Sequence, residues 1–151
     1  GKGPVKLRGA IEGDAASLAG LHRAARAAAM PWLAVLHTPD EDLEFFRGHV
    51  LVNAEVTLAE VSGRPVGFIA QAPGWIEHLY IAPDHWRTGI GSQLLRLAMT
   101  RQDQLDLWTF QRNAMARAFY ERHGFTAQEA TDGRSNEERE PDIRYRWVSA
   151  G

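Results

Sequence analysis

Two spacings of apolar residues divide the chain. Glu55–Val61 alternates apolar with polar positions, Pro65–Ala72 returns beside it, and Trp75, Ile76, Leu79, Tyr80 and Ile81 follow as an apolar run with strand character. Alternation at period two marks a strand with one covered face, so three strands are predicted here. Ser62-Gly63-Arg64 and Pro73-Gly74 punctuate them as turns, and the second strand returns antiparallel to the first. Elsewhere the spacing is helical. Leu18, Leu21, Ala25 and Ala28 form one apolar face, opened by Asp14 as an N-cap and stopped by Pro31, with Arg23 and Arg26 as solvated charges off that face. Thr38-Pro39-Asp40-Glu41 has the form of a capping box; the helix it starts turns Leu43, Phe46 and Val50 inward and ends before Asn53. Ile90, Leu94, Leu97 and Ala98 mark a further helix, and another from Ala114 to His123 is closed by Gly124. Short strands at Val5–Arg8, Leu105–Phe110, Phe125–Thr131 and Ile143–Val148 complete the pattern, with the turn- and charge-rich Asp132–Asp142 between the last two.

The order β-α-α-β-β-β-α-β-α-β-β predicts an α/β fold, a mixed sheet with helices on its faces. Its two β-α-β units set Trp75–Ile81 and Leu105–Phe110 side by side and parallel. With 151 residues and no repeat or linker, one domain over 1–151 is expected. Composition adds exclusions. A chain 44% hydrophobic and 24% charged is ordinary for a globular protein, and a net charge of −2 gives no pull toward nucleic acid or membrane. No apolar run approaches the roughly 18 residues of a membrane span and no signal-peptide pattern occurs, so a cytoplasmic protein is expected. The absence of cysteine excludes disulfides, thiolate metal sites and an acyl-cysteine intermediate. The six histidines form no helical HxxxH pair and no tight cluster with carboxylates, so no metal is expected. Gly1-Lys2-Gly3-Pro4, lacking methionine, reads as a remnant of processing or cloning.

The chemistry gathers around Trp75–Arg101. A strand hands over to a bend opened by Pro83-Asp84 and carrying Gly89-Ile90-Gly91, and the bend opens a helix. The first amides of a helix lack intrahelical acceptors and sit at its positive end, and glycines let the backbone approach a phosphate closely. Spacing alone leaves two readings open: an anion cradle, or a strand–helix connection whose glycines serve local geometry. The segment resembles motif A of the GCN5-related N-acetyltransferase (GNAT) superfamily, Gln/Arg-x-x-Gly-x-Gly/Ala. Here that register is Trp86-Arg87-Thr88-Gly89-Ile90-Gly91, with Trp86 where Gln or Arg is usual. A second stretch, Asn113-Ala114-Met115-Ala116-Arg117-Ala118-Phe119-Tyr120-Glu121-Arg122-His123-Gly124-Phe125, resembles the family's Asn-x-x-Ala-x-x-Phe/Leu-Tyr-Glu-x-x-Gly-Phe, and the element order matches over nearly the whole chain.

The resemblance implies the GNAT acyl-CoA N-acyltransferase fold, whose central parallel strands splay like a V to admit the pantetheine arm of acetyl-CoA. It implies a pyrophosphate held at Gly89, Ile90, Gly91 and Ser92, with Arg87 and Thr88 adding contacts unless Arg87 is a plain surface charge. Amides freed by a bulge near Leu79, Tyr80 and Ile81 would face the acetyl oxygen. Asn113 would cap its helix, reach a pantetheine amide, or do both. Tyr120 would stand beside the CoA sulfur as general acid, the alternative being a core tyrosine; Phe119 and Phe125 are expected in the core. Glu77 and His78 are adjacent on a strand and point to opposite faces unless a bulge intervenes. Glu77 is similar in position to a glutamate that polyamine acetyltransferases of the family use through an ordered water. It is the candidate base, against a partly exposed strand residue; His78, His85 and His37 are weaker candidates.

For the acceptor, Trp32, Leu36, His37 and Phe45, then 136–142 with Glu137, wall the side the family uses, and Trp75 and Trp108 are positioned to line the same pocket. Aromatic walls ending in a carboxylate suit an amine through cation–π and charge attraction. The alternative is a solvated loop and core tryptophans. The reading is thus an N-acetyltransferase moving acetyl from acetyl-CoA directly to a small-molecule or peptide amine in a ternary complex, as a monomer or homodimer. A non-catalytic acyl-CoA-binding regulatory module is the alternative, and it needs neither Tyr120 nor Glu77. A P-loop protein fails for lack of Gly-Lys-Ser/Thr after the glycines.

Overall fold

A computed structural model describes residues 3–151, so Gly1 and Lys2 of the expected Gly1–Pro4 remnant lie outside the described residues. In chain order come β1 (Val5–Gly9), a 3-10 turn at Glu12–Asp14 and α1 (Ala15–Ala29). Then α2 (Pro39–Phe45) runs through a π-helical stretch (Phe46–Val50) into α3 (Leu51–Asn53). The strands β2 (Glu55–Val61), β3 (Arg64–Ala72) and β4 (Trp75–Ile81) follow, then a 3-10 turn at Pro83–His85 and α4 (Ile90–Arg101). The chain closes with β5 (Gln104–Phe110), α5 (Ala114–Arg122), β6 (Thr126–Ala130) and β7 (Asp142–Val148). One seven-stranded sheet has the order β1-β2-β3-β4-β5-β7-β6, antiparallel throughout except for the parallel β4–β5 junction.

Local chemistry explains the boundaries. Ser62 (φ 52°) and Gly63 (φ 76°) both take left-handed backbone, the requirement of a tight hairpin between right-twisted strands. Thr38 and Glu41 form the expected reciprocal box, the threonine hydroxyl accepting from the Glu41 amide at 3.1 Å and the Glu41 carboxylate from the Thr38 amide at 2.8 Å. Where α2 was expected to continue regularly, the Leu51 amide reaches back five residues to the Phe46 carbonyl. That wide turn keeps Phe46 and Val50 both fully buried.

The sheet carries a core on each face. Ile69, Ile76, Leu105, Leu107, Phe125 and Tyr145 pack with Leu94, Leu95 and Ala98 of α4 on one side. Leu58, Phe68 and Ala70 pack with Leu18, Phe46 and Val50 on the other. Three expectations about α1 are corrected. Ala28 is exposed while His22 is buried, because α1 turns Ala15, Leu18, Ala19, His22 and Ala25 to the sheet. Asp14 makes no side-chain cap; its carboxylate accepts from the Ile11 amide and pairs with Arg8 at 2.8 Å. Arg23 and Arg26 are not simply solvated: they pair with Asp42 at 2.8 Å and Glu138 at 2.6 Å.

The central feature is a short junction. β4 and β5 share one paired position, Trp75 with Asp106, secured by the Asp106 amide on the Gly74 carbonyl at 2.8 Å. Beyond it β5 pairs with β7 along its whole length and β4 keeps pairing with β3. The two therefore part like a V. The register of β3 and β4 shifts between Ala70–His78 and Gln71–Ile76, leaving Glu77 as the extra residue of a bulge. The bulge was expected near Leu79–Ile81; it lies at Glu77, at the apex of the V. A bulge bends its strand and raises the local twist, which steers β4 away from β5. Below the apex, buried Asp106 is gripped by Arg146 at 2.8 and 3.1 Å and Arg144 at 2.7 Å, which ties β5 to β7.

Candidate active site

The arms of the V leave backbone groups without a neighbouring strand. The Ala82 amide donates to Val66 on β3 at 2.8 Å, so by strand alternation the N–H and C=O groups of Leu79 and Ile81 face the opening. The Ile81 carbonyl confirms the direction by accepting the Trp86 indole N–H at 2.8 Å. Trp86, standing where the motif usually has Gln or Arg, is thereby stitched to the cleft edge. The bulge also changes what faces where. Ile76 packs with the α4 core, whereas His78 meets Phe46 and His22 on the α1 side. Alternation from Ile76 puts Glu77 on the α1 side as well, so Glu77 and His78 share a face instead of opposing each other.

After β4 the chain builds the turn that opens α4. Thr88 Oγ1 donates to the His85 carbonyl at 2.6 Å, Arg87 takes left-handed backbone (φ 61°), and Gly89 follows at φ 87° as the N-cap. The first intrahelical bond is Gln93 N–H to Gly89 at 3.0 Å, so the amides of Ile90, Gly91 and Ser92 have no helical acceptor. The glycines serve different ends. Gly89 has open space around it and is needed for its backbone conformation, whereas a Cβ at Gly91 would sit 3.4 Å from Phe119 Cζ. The Ile90 side chain is buried in the core, so only its backbone belongs to the cradle. Arg87 is exposed, with no carboxylate partner among the described residues.

Three cavities with shared wall residues open from this frame. The cleft, about 590 Å³, is lined by Leu79, Tyr80, Ile81, Gly89, Asn113 and Tyr120 among others. A cavity of about 100 Å³ shares Leu79, Tyr80, Asn113 and Tyr120 with it and adds Glu77, Trp108 and Phe110. A chamber of about 450 Å³ lies between α1 and the 31–37 linker, with His22, Arg23, Arg26, His37, Asp42 and Glu138 in its walls. Met30 lines all three.

Tyr120 stands at the junction of the first two. It is 8% exposed, its ring packs on Phe119 and Phe125 with centroids 5.3 and 5.5 Å away, and its hydroxyl has no hydrogen-bond partner among the described residues. Burial pushes its pKa well above the ordinary tyrosine value, with the neighbouring Tyr80 adding to the effect. The phenol is therefore a proton donor throughout the neutral range. Asn113 caps α5 through Oδ1, which accepts from the Ala116 amide at 3.1 Å, and it lines both cavities.

Other candidates are more dispersed. Trp108 lines the small cavity and His37 the chamber, but Trp32, Trp75 and Glu137 line none of the three. Trp32 lies against Phe110 and under the Arg112 guanidinium, 4.1 Å from its ring centre. Glu137 pairs with His37 at 2.5 Å, Glu138 with Arg26, and Glu140 with Arg112 at 2.8 Å. The 132–142 loop is thus a strap whose three glutamates meet Arg26, Arg112 and His37, not a solvated excursion. Sequence spacing also missed Met30, His85 and Trp86 as wall residues and took Phe119 as plain core, although it lines the cleft. Nothing along the chain signals them, because their neighbours come from other elements.

The arrangement can seat an anion at the α4 start, offer strand amides to a carbonyl oxygen, and deliver a proton from a buried phenol. A sequence model described as an acetyltransferase (GNAT) domain matches residues 52–127, half of the chain. The chain belongs to the GNAT acetyltransferase family. Among curated relatives it is 32% identical over 75 residues to the uncharacterized N-acetyltransferase YafP of Escherichia coli K12, covering 50% of this chain and 48% of that protein. It is 32% identical over 80 residues to the peptidyl-lysine N-acetyltransferase YiaC of the same strain, covering 52% and 55%. The matches thus span about half the length of these relatives. Among solved structures, the apo form of YjaB from Escherichia coli superposes with a TM-score of 0.80 at 21% identity over 97% of this chain and 99% of that one. The PaiA N-acetyltransferase of Thermoplasma acidophilum, in complex with coenzyme A, gives 0.74 at 15% identity with the same coverages. These likenesses establish the GNAT fold. Among the described residues no helix is long and apolar enough to cross a membrane, and no group of three or more His, Asp or Glu residues could hold a metal ion.

Proposed function

We propose that residues 1–151 act as one acetyl-CoA-dependent N-acetyltransferase domain that moves the acetyl group directly to an amine in a ternary complex. The single observation that carries this reading is the Tyr120 hydroxyl, set on a buried ring, without a hydrogen-bond partner among the described residues, and lining the same cleft as the amide cradle at Gly89. A module that only binds acyl-CoA has no need of a phenol there. The diphosphate of the co-substrate is held by the amides of Ile90, Gly91 and Ser92, with Arg87 and Thr88 beside them. The pantetheine arm lies in the V along the Leu79 and Ile81 backbone, within reach of Asn113.

In the transfer step the amine nitrogen attacks the thioester carbonyl carbon and the carbon–sulfur bond breaks. The developing oxyanion faces the free amides of β4, and the departing thiolate takes the Tyr120 proton. The proton lost by the amine goes to Glu77, directly or through water, since Glu77 and Tyr120 share the small cavity. The acceptor is a primary amine of a small molecule or of a protein, as the peptidyl-lysine activity in the name of one relative suggests.

The test is thiol release from acetyl-CoA over a panel of amines and lysine peptides, run beside a CoA titration. Turnover with at least one amine is expected; tight CoA binding with no turnover on any of them would favour the binding module.

A further inference from the structure

His22 on α1 is used by nothing described above. It is 8% exposed, and its ring meets Tyr80 at 4.8 Å, Phe46 at 5.3 Å and His78 at 5.6 Å. Its Nδ1 is the one sealed side-chain nitrogen or oxygen among the described residues that has no hydrogen-bond partner. The other ring nitrogen, Nε2, is not sealed. Of the three cavities His22 lines only the chamber behind Met30, so Nε2 opens there.

Which nitrogen carries the proton follows from this asymmetry. A sealed N–H with no acceptor is rarer in proteins than an acceptor left alone, so the proton sits on Nε2 and points into the chamber. A second proton is resisted: burial, helped by the nearby Arg26 charge, lowers the pKa to about 4. The ring is therefore a neutral donor at physiological pH and too weak a base to take a proton from an ammonium group.

The chamber's other polar side chains each make a hydrogen bond or ion pair, though both guanidiniums keep further N–H groups. Arg26 is paired with Glu138, while Arg23 is bonded to Asp42 and, at 3.1 Å, to the His37 carbonyl. His37 itself pairs with Glu137. His22 is the one polar side chain lining this space of about 450 Å³ that makes no hydrogen bond or ion pair among the described residues, and the volume is within the range of small-ligand sites. Met30, a flexible side chain, is the one wall shared with the cleft and the Tyr120 cavity. Rotation of Met30 away from this wall would give a ligand seated in the chamber a path for its amine toward the thioester.

We propose that His22 sets acceptor specificity by donating Nε2–H to a carbonyl or carboxylate oxygen borne by the acceptor, so that the chamber selects amines of the amino-acid and peptide class over simple alkylamines. This inference rests on the acetyltransferase reading and deepens it.

The experiment compares glycinamide with ethylamine as acceptors for the full-length chain, His22→Phe and His22→Gln. A site built to hydrogen-bond an oxygen discriminates against the analogue lacking it, so with kcat/KM expressed per unprotonated amine, because the amide makes glycinamide the weaker base, the unaltered protein should favour glycinamide by at least about tenfold. His22→Phe should erase that preference through the glycinamide KM, leaving ethylamine and acetyl-CoA parameters unchanged. His22→Gln, which keeps an N–H near the Nε2 position, should restore part of it. An equal loss on both amines, or a preference surviving in His22→Phe, overturns the proposal. If no amine turns over, the acetyltransferase reading itself has failed, and His22 is then judged on the unaltered protein. The imidazole nitrogen resonances of the CoA-bound chain should shift with N-acetylglycinamide and not with N-ethylacetamide; an equal response to both, or to neither, overturns it.

Discussion

Replacing Tyr120 by phenylalanine separates the two jobs of that side chain. The ring keeps its contacts with Phe119 and Phe125, and the deleted hydroxyl leaves no protein group without a partner. Stability should therefore change by less than about 0.5 kcal/mol, or roughly 1–2 °C in melting temperature for a domain of this size. Turnover should fall by at least about tenfold, because general acid catalysis contributes about 10²–10⁴-fold where the proton must be supplied; each tenfold is about 1.4 kcal/mol in the barrier. CoA affinity should stay near the original value, since the proposed mechanism aims the phenol at the thioester and not at the diphosphate. Raised by burial, the phenol keeps its proton beyond the ordinary tyrosine pKa of 10.0, so Tyr120 causes no loss of rate on the alkaline side below that pH. The same shift has a stability counterpart. Above about pH 10 the unfolded chain releases this proton while the folded one holds it, so stability falls as pH rises. Thiol release at saturating amine, calorimetric CoA titration and a melting curve measure the three quantities on one preparation. Unchanged turnover, or a melting temperature lowered by many degrees along with activity, would refute the reasoning.

The remaining expectations concern neighbouring parts of the site. Gly89→Ala should weaken CoA binding by straining a φ of 87°, at a cost of about 1–2 kcal/mol, with Gly89→Asn milder because asparagine tolerates left-handed backbone. Gly91→Val should weaken it by pushing Phe119 into the cleft; a titration showing normal affinity for both Gly89→Ala and Gly91→Val removes the cradle. Glu77→Gln should lower the rate near neutral pH and let it recover as rising pH supplies free amine, and an unaltered pH–rate profile retires Glu77 as the base. Asp106 has its pKa lowered first by its bonds to Arg146 and then by Arg144, against the opposing effect of burial. A depressed carboxylate contributes stability above its ordinary value of 3.8 and loses it as pH falls through the lower folded value. Asp106→Asn should accordingly destabilise the chain by about 1–3 kcal/mol at pH 7 and flatten that acid limb, as followed by denaturant melts at several pH values.

Periodicity, turn residues and capping chemistry are local, and the chain spells them out. The bounds of β2 and β4, the Thr38 box, the left-handed Gly63, Gly89 and Gly124, and the Asn113 cap were all legible from residues a few positions apart. Tyr120 and the glycine bend were legible through family motifs that are themselves continuous in sequence. What tertiary structure alone decided depends on residues from different elements meeting. The bulge falls at Glu77 because β3 and β4 must stay in register while β4 leaves β5, and it brings Glu77 and His78 onto one face where plain alternation would oppose them. The glutamates of 137–140 look like free anions in the sequence, yet each meets an arginine or histidine brought by α1, the linker or the β5–α5 corner. His22 sits at a position that helical spacing left polar, and only the packing of α1 on the sheet seals one of its nitrogens and opens the other to a chamber. Short-range rules act through backbone geometry and are written in consecutive residues. Pairing, sealing and cavity shape arise from contacts distant along the chain, so three-dimensional packing alone determines them.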